Sequence, residues 1–319
     1  AAVLTSICKM IQSNQKFETP RVETQTWLLI VAVYGGWIGA TLYGTHMPWW
    51  LLLMAGGWFT GWYYSLQHEV IQGHPTKKRW PNDLIGYAPL GLFIPYSIYR
   101  ADHTKHHNKD ILTIPGLDPE SYYFDANTWA AMPRFLKAIN IVNNALIGRL
   151  TVGVAITIVR FWMGEFRRLL RGDLTHLRAW TLHIVLVAGV LYWVNVICGL
   201  PVWLYILIFA YPGLALTMMR SYTEHRAAAE PDHRTAIVES RGLGGLLGLL
   251  FLHNNLHIAH HDQPAMPWYQ LPAYYRSKRA MFLEENDGFL FHGYRDVMRQ
   301  YLFAPIDAPI STSSYPTHP

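Results

Sequence analysis

Two tracts without a formal charge constrain this chain more than any other feature. Residues 27–66 and 179–219 contain no Asp, Glu, Lys or Arg. Each is about twice the ~20 residues that a helix needs to cross a bilayer. A soluble core helix seldom goes so far without a charge. The shortage is general: 15% of residues are charged, where a soluble domain carries roughly a quarter. A turn divides each tract, at Gly44-Thr-His-Met-Pro48 and at Gly199-Leu-Pro201. The expected architecture is therefore all-α and integral to a membrane. It has four transmembrane helices arranged as two hairpins, with spans near 27–45, 48–66, 179–199 and 201–219.

Charge orients the hairpins. All 26 Lys and Arg fall in 1–26, 67–178 or 220–319, and neither hairpin turn carries one. The positive-inside rule then puts both ends and the middle segment in the cytoplasm. The expected order is a cytoplasmic lead-in (1–26), a first hairpin (27–66) and a segment of cytoplasmic and interfacial helices (67–178). A second hairpin (179–219), a cytoplasmic helical cap (220–303) and a Pro- and Ser-rich disordered tail (304–319) follow. Residues 84–98 are apolar but broken by Pro89 and Pro95, which suits a dip into the interface rather than a crossing. A net charge of +5 does not point to nucleic acid, because the basic residues flank apolar spans and so suit anionic lipid headgroups. Arg220, Arg226 and Arg241 are read as such membrane-surface charges. Cys8 and Cys198 are too few and too far apart for a disulfide framework or a cysteine-held cluster.

The chain has 16 histidines, and nine of them cluster. His68 and His74 follow the second span, and His103, His106 and His107 form H-x-x-H-H. His225 lies just past the fourth span, and His257, His260 and His261 repeat H-x-x-H-H. Positions i, i+3 and i+4 of a helix share a face, so each repeat is expected to aim three imidazoles at one point. A catalytic metal usually takes about three protein ligands and keeps a position open. Nine imidazoles divide more naturally between two metals. Iron, zinc, copper and nickel all accept imidazole. Each ligating ring also needs an acceptor at its other nitrogen, and Glu69, Asp102, Asp110, Glu224 and Asp262 are close enough in sequence to serve. The stretch Asp118-Pro-Glu-Ser-Tyr-Tyr123 reads as a structural turn.

These motifs resemble the integral-membrane fatty acid desaturase superfamily, whose hallmark is three histidine boxes. The boxes here are His68-Glu-Val-Ile-Gln-Gly-His74, His103-Thr-Lys-His106-His107 and His257-Ile-Ala-His260-His261. The stretches His-Glu-x-x-x-Gly-His-Pro-Thr, Asp-Pro-Glu-Ser-Tyr-Tyr, Glu224-His225-Arg226 and Asn-Asn-Leu-His-x-x-His-His resemble bacterial members. The resemblance covers about 27–300. It implies a non-haem centre of two Fe ions, held by the boxes and by His225, that uses O₂ to attack an unactivated C–H bond. The first box departs from the common spacing, since many relatives have a histidine where Gln72 stands. If the ligand position is 72, the site lacks a ligand or binds a metal through the amide; His74 is taken as the ligand here.

The expected activity is an O₂- and two-electron-dependent desaturation of a fatty acyl chain. The expected location is a bacterial inner membrane, with the centre on the cytoplasmic side. No haem domain, four-cysteine cluster or Rossmann fingerprint is visible, so a separate donor is expected, a ferredoxin or a cytochrome with its reductase. A hydroxylase or ketolase of a fatty acyl, alkane, sterol or carotenoid substrate would use the same centre. A zinc-dependent membrane hydrolase would want the second His of H-E-x-x-H, and position 72 is Gln. A metal carrier would line its spans with ligands, whereas these nine lie outside them.

Overall fold

The computed structural model describes residues 17, 19–239 and 244–313. Most of the lead-in, including Lys9 and Lys16, lies outside the described residues, as do Arg241 and positions 314–319 of the tail. Among the described residues the regular structure is helical apart from one short parallel pair, β1 (Ile237–Val238) with β2 (Leu290–Phe291). Among the described residues three helices are long and apolar enough to cross a membrane: α1 (Thr24–Leu42), Leu177–Ile197 and Val202–Ser221. The helix after α1, α2 (Trp49–Ile71), has 23 residues, enough for about 34 Å. Its glycines, tryptophans and tyrosines make it less apolar than the other three.

α2 is central. It packs against α1 on one side and Val202–Ser221 on the other. The second contact is close because both helices present glycine. A Cβ on Gly213 would lie 2.5 Å from that of Thr60, and one on Gly56 would lie 2.8 Å from the carbonyl oxygen of Ile208. Small residues let backbones approach where apolar lipid gives little drive to associate. Leu28, Val31, Ile184, Val185 and Trp203 stay exposed on the outer faces.

Between α2 and Leu177–Ile197 come α3 (Arg79–Gly86), an irregular loop, α4 (Tyr96–His106), α5 (Ala126–Ala131), α6 (Arg134–Asn143), α7 (Leu146–Leu150) and α8 (Val152–Leu170). The loop 87–95 is buried between the long helices, with Leu90 at 2% exposure. A buried loop must have its carbonyls satisfied, and side chains of the long helices do this. Tyr205 OH donates to Leu90 O at 2.6 Å, Trp162 Nε1 to Phe93 O at 2.8 Å and His183 Nε2 to Leu92 O at 2.8 Å. Gln67 Nε2 and Tyr63 OH both donate to Gly86 O, at 2.8 and 2.9 Å. This network fixes where α4 starts, and so where the second histidine box sits.

Then follow α9 (Leu177–Ile197) and α10 (Val202–Ser221), each containing a π-helical turn, at Trp193–Ile197 and Ile206–Ala210. Beyond it lie β1, α11 (Gly244–Leu250), α12 (His257–Asp262), α13 (Leu271–Glu285), β2 and α14 (Tyr294–Tyr301). The described part of the tail is tied down, contrary to its composition. Phe124 N donates to Pro309 O at 2.9 Å, and Ser311 N donates to Phe124 O at 3.0 Å. Ser313 Oγ lies 2.7 Å from Thr113 Oγ1.

Candidate metal centre

Four elements deliver the rings. His68 is on the last turn of α2, and His103 and His106 end α4, with His107 capping it. His225 follows α10 on a turn pinned to Thr235. His257, His260 and His261 are on α12, whose entry is docked on β1. There Val238 N donates to Asn255 O at 2.8 Å, Asn255 Nδ2 to Val238 O at 2.7 Å and Ile258 N to Ala236 O at 3.2 Å.

Eight of the nine clustered histidines meet in two groups of four. His68, His103, His107 and His260 form the first, and His106, His225, His257 and His261 the second. Within each group the ring nitrogens lie within 4.8 Å of one another. In the first, Nε2 of His107 is 3.0 Å from that of His103 and 3.2 Å from that of His260. In the second, Nε2 of His225 is 3.0 Å from those of His106 and His257, and His261 is 3.1 Å from His257. Each H-x-x-H-H repeat therefore serves both groups, and does not aim three rings at one point. On α4 the pair i, i+4 (His103, His107) goes to the first group and i+3 (His106) to the second. On α12 the pair (His257, His261) goes to the second and His260 to the first.

His74 is elsewhere. α2 ends at Ile71, and Gly73 takes the left-handed φ of +100°, the usual conformation just past a helix end. That turn carries His74 to Glu23, whose Oε1 accepts from Nδ1 at 2.7 Å, and to within 3.9 Å of Glu69. The position nearer the first group is Gln72. Its amide nitrogen lies 2.8 Å from Nε2 of His107 and 3.1 Å from that of His103.

The acceptors behind the rings are mostly ones that sequence reasoning missed. Glu120 takes Nδ1 of His103 at 2.9 Å, and Asp118 takes Nδ1 of His106 at 2.9 Å. Asn254 Oδ1 faces Nδ1 of His257 at 3.1 Å, and Arg234 O faces Nδ1 of His225 at 3.3 Å. Of the expected carboxylates, Glu224 is near, 3.4 Å from Nδ1 of His257 and ion-paired with Arg220 at 2.7 Å. Glu69 accepts from Trp268 N at 3.0 Å, and Asp262 accepts from Tyr274 OH. Asp102 lines a cavity, and burial first of all pushes its carboxyl up to about 6. Asp110 offers its backbone oxygen to Arg234. The missed signal was the turn 118–123, with two acids around a proline, which begins eleven residues after the second box.

The electrostatics suit a cation. Burial, then neighbouring imidazoles, pulls His257, His260 and His261 well below the ordinary range, and takes His107 and His225 to about 3. Burial also lowers His103, against Glu120. These rings are neutral at pH 7, which is the form that binds metal. His106 is the exception. Burial lowers it, but Glu120 and Asp118 outweigh burial and raise it to about 9. Glu120 is in turn held well below the carboxylate range, because His106 and His103 outweigh its burial. Two largely buried sets of four imidazole nitrogens, carboxylate-backed and converging, fit two metal ions.

Beside the first group opens a cavity of about 400 Å³. Glu120, which holds His103, forms part of its wall, and Ile94, Ile156, Phe161, Leu214 and Met218 supply apolar lining. The volume lies in the range of small-ligand sites, ~300–1,000 Å³.

A search of curated proteins finds no match. The family model for fatty acid desaturase matches residues 44–293, which includes all eight converging histidines. The chain belongs to the fatty acid desaturase family.

Proposed function

We propose that this protein is a membrane desaturase that uses O₂ and two electrons to introduce a double bond into a fatty acyl chain, at a non-haem diiron centre. The observation that carries the reading is the meeting of eight imidazoles in two groups of four, from three boxes and His225. The first iron would be held by His68, His103, His107 and His260, and the second by His106, His225, His257 and His261. Bound iron would supply oxygen activation and the removal of hydrogen from an unactivated carbon. The chain's own residues supply the setting. Glu120 and Asp118 fix the rings of His103 and His106 with Nδ1 protonated and Nε2 turned inward. The apolar part of the cavity wall would hold the acyl segment beside them.

In this reading α1 with α2 and α9 with α10 are the two hairpins, giving four crossings. The histidines lie on the cytoplasmic face, as in a bacterial inner membrane. Lys77, Lys78 and Arg79 are exposed next to the exposed Trp80, a combination that suits a headgroup layer. A separate ferredoxin or cytochrome would supply electrons. If its docking is electrostatic, raising salt raises the donor's apparent KM. A KM independent of ionic strength removes the electrostatic part of the proposal.

The test is expression in a host without desaturases, with lipids profiled by mass spectrometry. A new acyl species two hydrogens lighter, absent from the His260→Ala variant, is the expected result. A product one oxygen heavier assigns hydroxylation on the same centre. Activity without O₂, at one zinc per chain, would sink both.

A further inference from the structure

We infer that Gln72 is a ligand of the first metal, through its amide oxygen, so that the two metal positions of this chain are unequal. The inference rests on the metal reading above and concerns a residue outside the eight histidines.

The geometry around the amide is that of one more corner of a coordination shell. Ligand atoms about 2.1 Å from one ion sit roughly 3.0 Å apart when they meet at right angles. Nε2 of His107 is 3.0 Å from that of His103 and 3.2 Å from that of His260. The end of the Gln72 amide repeats that spacing, at 2.8 Å from His107 and 3.1 Å from His103. An amide has an oxygen end and a nitrogen end of nearly equal size, exchanged by a half-turn about its last side-chain bond. With a cation between the imidazoles, their lone pairs point at the cation and leave the amide N–H no acceptor. The oxygen end is then the favourable one, and Gln carbonyl oxygens are established ligands of hard cations.

The local fold holds Gln72 there. It is four residues after His68, on the same face, and caps α2 with φ −75°. It is the last residue to follow the helix before Gly73, at φ +100°, turns the chain away. His74 does not compete, because Glu23 holds it at 2.7 Å. The first position then has four imidazoles and one neutral oxygen. The second has four imidazoles among the described residues.

The test uses the full chain in nanodiscs, loaded with Co(II) and followed by its visible ligand-field bands and by competition with a chelator. The native protein should bind two Co(II) per chain. In Gln72→Ala one of the two should weaken by at least about tenfold, the low end of what even partners outside the ligand shell are worth, and the bands of that ion should change. Gln72→His should restore the affinity and shift the bands toward an all-nitrogen shell. If Gln72→Ala does not fold, Gln72→Glu takes its place, and its charged oxygen should tighten one ion. Two ions bound with native affinity and native bands in Gln72→Ala, or native affinity for both ions in Gln72→Glu, would overturn the inference and leave the metal reading standing. Native protein that takes up no Co(II) would overturn both.

Discussion

Glu120 and Asp118 set the tautomers on which the centre depends. An imidazole presents Nε2 to a cation only while its proton stays on Nδ1, and these carboxylates hold that proton at 2.9 Å on His103 and His106. Asp118 is itself fixed by Thr113 N at 2.8 Å and Glu120 N at 2.9 Å, so the turn 113–120 acts as one clamp. Glu120→Gln and Asp118→Asn keep the shape but lose the charge. Each should weaken its own metal by roughly 10–100-fold, read by chelator competition, with the other metal unaffected. Equal weakening of both metals would mean that the clamp acts on the fold rather than on a ring. Proximity in sequence suggested Glu69, Asp102 and Asp262 for this task, but the chain folds them toward Trp268, the cavity and Tyr274. What decides is which loop lies behind a ring, and that is a tertiary fact. Which of Gln72 and His74 lies nearer the first group was similarly open in the sequence. It turned on whether the helix ended before or after Gly73.

A helix divides an H-x-x-H-H repeat by angle. Residues i and i+4 are about 40° apart around the axis, whereas i+3 and i+4 are about 100° apart. Two ions beside one helix therefore take i with i+4, and i+3 separately. This was readable from the spacing, and the expectation of three rings on one point overlooked it. The consequence can be tested by counting metal. His106→Ala and His261→Ala disable the same position, so the double variant should still bind one ion per chain. His106→Ala with His260→Ala takes one ring from each position and leaves three at each, so neither ion should keep its native affinity, whereas the first double keeps one ion at native affinity, although each pair takes one histidine from each helix. If the two doubles bind alike, the division fails. The glycines between α2 and α10 were not legible, because a sequence does not say which helices touch. Gly213→Val would place methyl groups where a Cβ is already 2.5 Å from Thr60. It should cost about 1–3 kcal/mol, seen as a lower melting temperature in detergent, whereas Gly189→Ala, where nothing lies within 4 Å, should leave it unchanged.

At the scale of the molecule, charge-free tracts and histidine spacing were enough to indicate a mostly helical protein with apolar helices of membrane length and histidine groups able to hold metal. The docking of residues 304–313 on Phe124 and Thr113 was not foreseen, because Pro- and Ser-rich composition says nothing about backbone pairing with a distant loop. Packing so many imidazoles in one place also shapes how the metal-free protein responds to pH. In the unfolded chain each histidine titrates near 6.5. In the folded chain His103, His107, His225, His257, His260 and His261 all titrate lower. Below about pH 6.5 the unfolded state therefore binds more protons, and stability falls as the pH falls. Asp102 and Glu224 are raised and oppose this trend, but they are outnumbered. His106, raised to about 9, and His74, raised by its hydrogen bond to Glu23 against burial, act in the opposite window. Their contribution is complete below about 6.5 and is lost as the pH climbs through their folded values. Metal-free protein should thus be most stable near pH 6.5, with melting temperatures falling on both sides. The alkaline side should flatten in Asp118→Asn, which removes a group that raises His106. Loaded protein should keep only the part of the alkaline fall that His74 contributes, because a bound cation keeps His106 neutral at every pH of the series. A metal-free profile that rises steadily from pH 5 to pH 9 would show that His106 and His74 are not held protonated, and that the clamp on His106 is weaker than its 2.9 Å contact implies.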